Sequence, residues 1–391
     1  MKYDFDTPVN REGTFSLKWD AAGPDTLPMW VADMDFKTAP AITEALVKRA
    51  AHGIFGYTKT PPQYYQAVTD WFLRRHAWAV QPGWILTAPG VVPALCAIIQ
   101  ALSNPGDKII LQTPVYNCFF SSIYDNARRA LYNPLVYKNN TYYMDFEDLE
   151  QKAAQENVKF LLLCNPHNPA GRVWTKEELV RAGEICLRHG VKIIADEIHG
   201  EITSPGHTYT PFASLSPDLA RQTITCTSPS KAFNIAGLQA ANIIISNETL
   251  RQETERRLKA NEIASLGVFG VQAAIAAYTQ GEDWLNQLNA YIYQNYLYLT
   301  EFFEKNLPFL PVTRLEGSYL VWVNAKALGL TSAQLSNKLR TEGKVFVNPG
   351  HLYGPEGNGF LRLNIACPRA LLQDGLERFS RVVKNVPLQN A

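Results

Sequence analysis

Neither sign of charge predominates in this 391-residue chain. Its 37 Lys and Arg face 36 Asp and Glu, for a formal net charge of +1, which leaves no excess of either sign to draw in nucleic acid or an anionic membrane. No apolar run approaches the ~20 residues that cross a bilayer. The start, Met1-Lys2-Tyr3-Asp4-Phe5-Asp6, lacks the basic and apolar segments of a signal peptide, so a soluble cytoplasmic protein is expected. The six cysteines (Cys96, Cys118, Cys164, Cys186, Cys226 and Cys367) include no C-x-x-C pair and do not cluster with the seven histidines at zinc-ligand spacing. Buried reduced thiols and no metal follow. GxGxxG and Walker signatures are missing too, which weakens nucleotide readings. What is present, 46% apolar and 19% charged residues, is a globular composition, long enough for one large domain and a smaller one.

From about residue 84 to 246, short apolar runs alternate with amphipathic stretches. Strands are expected at 84–87, 108–112, 131–136, 159–164, 192–195, 223–227 and 242–245. Helices fit 92–102 and 175–189, the second opening on a Thr175/Glu178 capping box and closing at Gly190. Continuous apolar strands alternating with helices predict an α/β fold: a large domain, 46–283, with a mostly parallel seven-stranded sheet between helices. Active residues in such sheets collect at the carboxyl ends of strands. Residues 1–45 form a poorly periodic arm with a helix beginning near Pro40. Beyond 283 the pattern changes to a long helix over 284–307, strands near 318–323, 345–347 and 360–365, and helices over 332–341 and 368–384. This predicts a smaller α+β domain of 284–391 that includes the arm.

Lys231, in Thr227-Ser228-Pro229-Ser230-Lys231, follows an apolar strand at a place where an amine can attack a carbonyl. Asp196 closes another strand, where its carboxylate can keep a pyridine nitrogen protonated; a helix cap or an ion pair is the structural alternative. If that strand continues, Glu197, His199 and Glu201 lie on the face opposite Asp196. Asn168 sits in the turn Asn165-Pro166-His167-Asn168-Pro169-Ala170-Gly171, able to donate to a phenolate or carboxylate or to do nothing beyond turning; Asn168-Pro169 is a candidate cis bond. Gly90, Val91 and Val92 join a strand to a helix and make a seat for phosphate, or a plain turn. Tyr116 follows a strand end, where an aromatic stacks on a flat ring or packs in the core. Arg362, a lone arginine on an apolar strand, requires a buried anion: a substrate carboxylate or a structural partner. Tyr57 is a loop hydroxyl whose role spacing does not settle.

Taken in order, these stretches resemble fold-type I pyridoxal phosphate (PLP) enzymes of the class I/II aminotransferase family. Within it the chain is similar to the MalY/PatB-type cystathionine β-lyase (C–S lyase) branch, through Trp30-Val31-Ala32-Asp33-Met34-Asp35-Phe36, His52-Gly53-Ile54-Phe55-Gly56-Tyr57, Asn168-Pro169-Ala170-Gly171-Arg172-Val173-Trp174, Asp196-Glu197-Ile198-His199, Ser230-Lys231-Ala232-Phe233-Asn234-Ile235-Ala236-Gly237-Leu238 and Asn348-Pro349-Gly350. The resemblance implies PLP held as a Schiff base on Lys231, its ring nitrogen on Asp196, its phenolate oxygen near Asn168 and His199, Tyr116 stacked on the ring, and its phosphate held by Gly90, Val91, Val92 and Ser228 with Ser230 as a further contact. It implies a homodimer with shared active sites, in which Tyr57 reaches the phosphate of the neighbouring subunit. Arg362, with Asn168, binds the α-carboxylate of an amino-acid substrate. The activity implied is α,β-elimination of cystathionine- or cysteine-type thioethers to thiol, pyruvate and ammonia. An aminotransferase on the same residues is the first alternative, and a regulator-binding protein with incidental lyase activity the second. One departure concerns the phosphate: the arginine often found eight residues after the lysine is here Gln239.

Overall fold

The computed structural model describes residues 3–389. Its central sheet has seven strands: β1 (Ile85–Ala88), β2 (Lys108–Leu111), β3 (Arg129–Tyr132), β4 (Val158–Cys164), β5 (Lys192–Asp196), β6 (Thr223–Thr227) and β7 (Ala241–Ile244), in the order β1-β7-β6-β5-β4-β2-β3. Strand β7 is antiparallel to both neighbours and every other pair is parallel, so the expected mostly parallel seven-stranded sheet is present. The reason is visible in β4, Val-Lys-Phe-Leu-Leu-Leu-Cys, which is buried at all but its lysine. A strand apolar on both faces is stable only where both faces are covered.

Helices α1 (Pro40–Ala51), α2 (Pro62–His76), α3 (Val91–Leu102), α4 (Asn117–Tyr124), α5 (Lys176–Arg188), α6 (Val268–Gln280) and α7 (Glu282–Asn306) supply much of that cover. Phe160, Leu162 and Cys164 of β4 pack with Ile194 of β5 and with Leu95 and Ile98 of α3. The alternate residues Leu161 and Leu163 pack with Ile193 and Ala195 and with Leu179 and Ile185 of α5. This two-residue parity fixes the site: continuing β5 from Ile194 places Asp196 on the α3 side of the sheet. Helix α5 carries the expected capping box, with Thr175 and Glu178 each satisfying the other's backbone N–H.

A second, antiparallel sheet joins β8 (Leu320–Asn324), β9 (Asn348–Pro349) and β10 (Phe360–Asn364) in the order β8-β10-β9, with Asn348 paired to Arg362. The arm joins the C-terminal part of the chain directly, since Leu27–Pro28 pairs in parallel with Val345–Phe346.

Two expected strands differ. The run 131–136 is divided: β3 ends at Tyr132, and the buried Asn133 donates to Asp148 and to the Asp145 carbonyl. Val136–Lys138 then begins a separate hairpin with Thr141–Tyr143. Its two-residue turn, Asn139-Asn140, has both φ angles positive (51° and 56°), the conformation that suits asparagine and matches strand twist. The run 345–347 is shorter than expected: Val345–Phe346 pairs with the arm, and the pairing to β10 is made by the residues that follow, Asn348–Pro349. Gly350, which follows β9, is dictated by close approach: a Cβ there collides with the Gly357 carbonyl and lies 2.6 Å from that of Phe360.

Candidate active site

The carboxyl ends of five strands open on one cavity of about 200 Å³. At one end lie Gly90, Val91, Val92, Ser228 and Ser230; at the other lie Tyr116, Asn168, Asp196, His199 and Lys231. The first group is shaped for an anion. Helix α3 starts at Gly90 without a side-chain cap, so its leading N–H groups and its positive dipole end face the cavity. The φ of Gly90, 174°, is ordinary extended backbone; its value here is that it brings no side chain. Ser228 caps the short turn that carries Lys231, accepting from the Ser230 N–H at 3.0 Å and donating to the Ala240 carbonyl at 2.6 Å. Gln239 lines the same end.

At the other end charge is controlled by burial. Asp196 accepts from the Ile198 N–H at 3.2 Å; desolvation raises its pKa to about 7, while that N–H and the Lys231 amine favour the carboxylate. Burial, reinforced by Arg362, lowers Lys231 to about 8, while Asp33 and Asp196 oppose the shift. His199 is driven down to about 3 by burial and by the cations Lys231 and Arg362, and is neutral. Tyr116 is raised well above the usual phenol range, burial being the main cause, and keeps its proton. The Lys231 amine donates to the Ala32 carbonyl at 2.7 Å.

Arg362 lies beside the cavity, 3% exposed. It donates to Asn168 Oδ1 at 3.0 Å and to the Trp30 carbonyl at 2.7 Å, with the Tyr353 ring 5.0 Å from its guanidinium. Its Nε and the Nδ1 of His199 are buried polar atoms with no protein partner. The Asn168-Pro169 bond is cis, as are Asn165-Pro166 and Thr113-Pro114.

The strand reading beyond Asp196 is corrected. Strand β5 ends at Asp196 and the chain turns, with Gly200 N–H on Glu197 O and Ile202 N–H on His199 O. His199 therefore reaches the cavity on the same side as Asp196, whereas Glu197 goes to the Tyr209 hydroxyl and the Phe212 N–H. Glu201 turns away to Trp71, Arg75 and His76 at 2.6–2.9 Å. Tyr57 is not brought to this cavity: it is fully exposed, in an exposed segment. The residues without an assignment from sequence are Ala32, Trp30, Tyr319, Asn348 and Tyr353. The first two act through backbone carbonyls, which no residue pattern announces; Trp30, Ala32 and Asn348 stood in stretches that carry the resemblance, but without a role.

These groups fit PLP. Its phosphate matches the uncapped start of α3, and its pyridine nitrogen matches a buried carboxylate. Its phenolate oxygen matches the Asn168 amide, whose Oδ1 is already engaged by Arg362. Its aldehyde matches an amine held well below the ordinary lysine pKa.

Comparison with known proteins agrees. A family model described as aminotransferase class I and II matches residues 25–379. Cystathionine beta-lyase PatB of Bacillus subtilis is 47% identical over 380 residues, covering 96% of this chain and 98% of that protein. Protein MalY of Escherichia coli is 34% identical, covering 98% and 100%. The crystal structure of a PLP-bound C-S lyase from Staphylococcus hominis superposes with a TM-score of 0.92 at 32% identity, covering 98% of each chain. The chain belongs to the class I and II aminotransferase family, whose members depend on PLP.

Proposed function

We propose that the protein is a PLP-dependent carbon–sulfur β-lyase that eliminates the thiol of L-cystathionine or a cysteine-type thioether, giving thiol, pyruvate and ammonia. The observation that carries this is the convergence of Lys231, Asp196 and the Asn168–Arg362 pair at one cavity; the likeness to proteins named cystathionine beta-lyase favours elimination. Bound PLP supplies an electron sink for the negative charge that develops at Cα. Asp196 would hold its ring nitrogen, Tyr116 its face and the start of α3 its phosphate, with Lys231 as covalent anchor. Lys231 Nζ, once free, takes the Cα proton, a task suited to an amine with a pKa of about 8. The neutral His199 and the protonated Tyr116 wall this side without adding charge. Arg362 orients the substrate carboxylate so that the Cα–H bond faces Lys231, and the thiolate leaves from Cβ.

The proposal extends to assembly and place. We assign 46–283 to the cofactor-binding domain, and 284–391 with arm 1–45 to the smaller one. Tyr57, exposed together with Ile54 and Phe55, would complete the neighbouring subunit's phosphate site in a homodimer. Six unpaired cysteines suit the reducing cytoplasm, and among the described residues no helix is long and apolar enough to cross a membrane.

The test is pyruvate release from L-cystathionine by purified protein without added keto acid. Steady production supports elimination; no pyruvate, with the cofactor converted to its amine form by ordinary amino acids, overturns it in favour of transamination. Arg362→Lys keeps the charge but loses the planar fork. With charge-assisted hydrogen bonds contributing about 1.5–3 kcal/mol, KM is expected to rise roughly 10–100-fold with a smaller change in kcat. Steady-state kinetics check this, and an unchanged KM would move the carboxylate site elsewhere.

A further inference from the structure

Between the Leu27–Pro28 pairing and α1, residues 30–36 run as irregular backbone, and side chains from distant parts of the chain take up their carbonyls. The Trp30 carbonyl accepts from Arg362 at 2.7 Å and from Asn348 Nδ2 at 2.9 Å. The Ala32 carbonyl accepts from Lys231 Nζ at 2.7 Å and from the Tyr319 hydroxyl at 2.9 Å. Asn364 and Asn234 clamp the carbonyls of Val31, Asp33, Met34 and Phe36. On the outer side Arg11 pairs with Asp33 and Asp35 at 2.7 Å, and the buried Lys18 with Asp35 at 2.6 Å. Backbone outside a ladder has to be satisfied in some such way. The informative point is which side chains the Trp30 and Ala32 carbonyls hold: the arginine proposed for the substrate carboxylate and the lysine proposed for the neighbouring Cα proton, on acceptors two residues apart.

We propose that segment 30–36 is a positioning element for the reaction, in which Asn348 sets Arg362 through the Trp30 carbonyl and Tyr319 sets Lys231 through the Ala32 carbonyl. The inference rests on Lys231 as base and Arg362 as carboxylate site. A carbonyl has two lone pairs, and here each is shared by one site residue and one anchoring residue. Both anchors are fixed independently. The Tyr319 ring stands edge-on to His199 at 5.9 Å. Asn348 also donates to the Tyr353 hydroxyl at 3.1 Å, beneath Arg362.

The two ends respond differently. Tyr319 competes with Lys231 for one acceptor. Without the phenol, the Ala32 carbonyl accepts more strongly from the protonated amine and favours its charge. The other groups that act on the amine are Asp33, Asp196, Cys118, Arg362 and the neutral His199, and Tyr319→Phe alters none of them. One neutral hydrogen bond, about 0.5–1.5 kcal/mol, corresponds to roughly 0.4–1 pH unit.

In the PLP-loaded enzyme, Tyr319→Phe is expected to move the acid limb of the kcat profile up by about 0.4–1 unit with KM unchanged. Asn348→Ala is expected to raise KM several-fold and leave that limb in place. Competitive acetylation of the apoprotein across pH, read at Lys231 by mass spectrometry, should show the same upward shift for Tyr319→Phe alone. An unmoved Lys231 titration in Tyr319→Phe, or a wild-type KM in Asn348→Ala, overturns the proposal. Asn348→Ser, a smaller loss, replaces Asn348→Ala if that variant does not fold. Lys231→Ala separates the premises: turnover in that variant would defeat the base reading, while the apoprotein titration still judges the segment.

Discussion

Lys231→Ala is expected to lower thioether elimination by roughly 10⁴-fold or more and to abolish the absorption band that the PLP-loaded protein owes to its Schiff base with this lysine. Removing a positioned general base alone costs roughly 10²–10⁴-fold, and loss of the covalent anchor adds to it. The fold should survive, because the Ala32 carbonyl keeps its bond to Tyr319 and the neighbouring Ser228 cap uses no atom of the lysine. Lys231→Arg should not recover activity, since a guanidinium stays protonated at any working pH and cannot take the Cα proton. The wild-type enzyme should in turn gain activity as pH rises toward about 8, where the amine loses its proton. Pyruvate assays, absorption spectra and a thermal melt decide this together. Full turnover in a folded Lys231→Ala protein would remove the lysine from the mechanism.

How far such a site is legible from sequence depends on whether the information sits in side chains or in backbone. The strands were readable because β4 and β5 carry apolar residues on both faces, a pattern that only a covered sheet tolerates, and because β6, threonine on one face and Ile224 and Cys226 on the other, alternates with the strand period. The residues at their ends followed from that. Strand periodicity misplaced His199 because it assumes continued extension, whereas the turn at 197–201 sends Glu197, His199 and Glu201 to three different destinations. The contacts of segment 30–36 were not legible at all. Its polar work is done by carbonyls, which every residue carries, and their partners lie up to 333 positions away. Tyr319 shows the same limit from the side-chain end: in a strand-like run it reads as core, and its hydroxyl matters only once the arm is laid across it.

Asp196→Asn is expected to separate function from stability. The substitution keeps size and the acceptor for the Ile198 N–H but removes the only carboxylate lining the cavity among the described residues. Uncoupling a buried charge pair costs about 3–5 kcal/mol, so kcat should fall roughly 10²–10⁴-fold at 1.36 kcal/mol per tenfold, with the cofactor still attached through Lys231. The apoprotein should respond in the opposite direction. Burial raises the Asp196 pKa from 3.8 to about 7, so between those values the folded state binds more protons than the unfolded one. Stability from this group is therefore fully present below pH 4 and is lost as pH rises through 7. The neutral asparagine has no such loss. The variant's advantage in the apoprotein should grow across that window and level off above it. Thermal melts of both apoproteins from pH 5 to 8 measure that difference, and single-turnover kinetics measure the chemical step. A variant less stable than wild type at pH 8 would show that desolvation of the carboxylate is already compensated within the chain. Near-normal turnover would show that protonation of the ring nitrogen does not depend on Asp196.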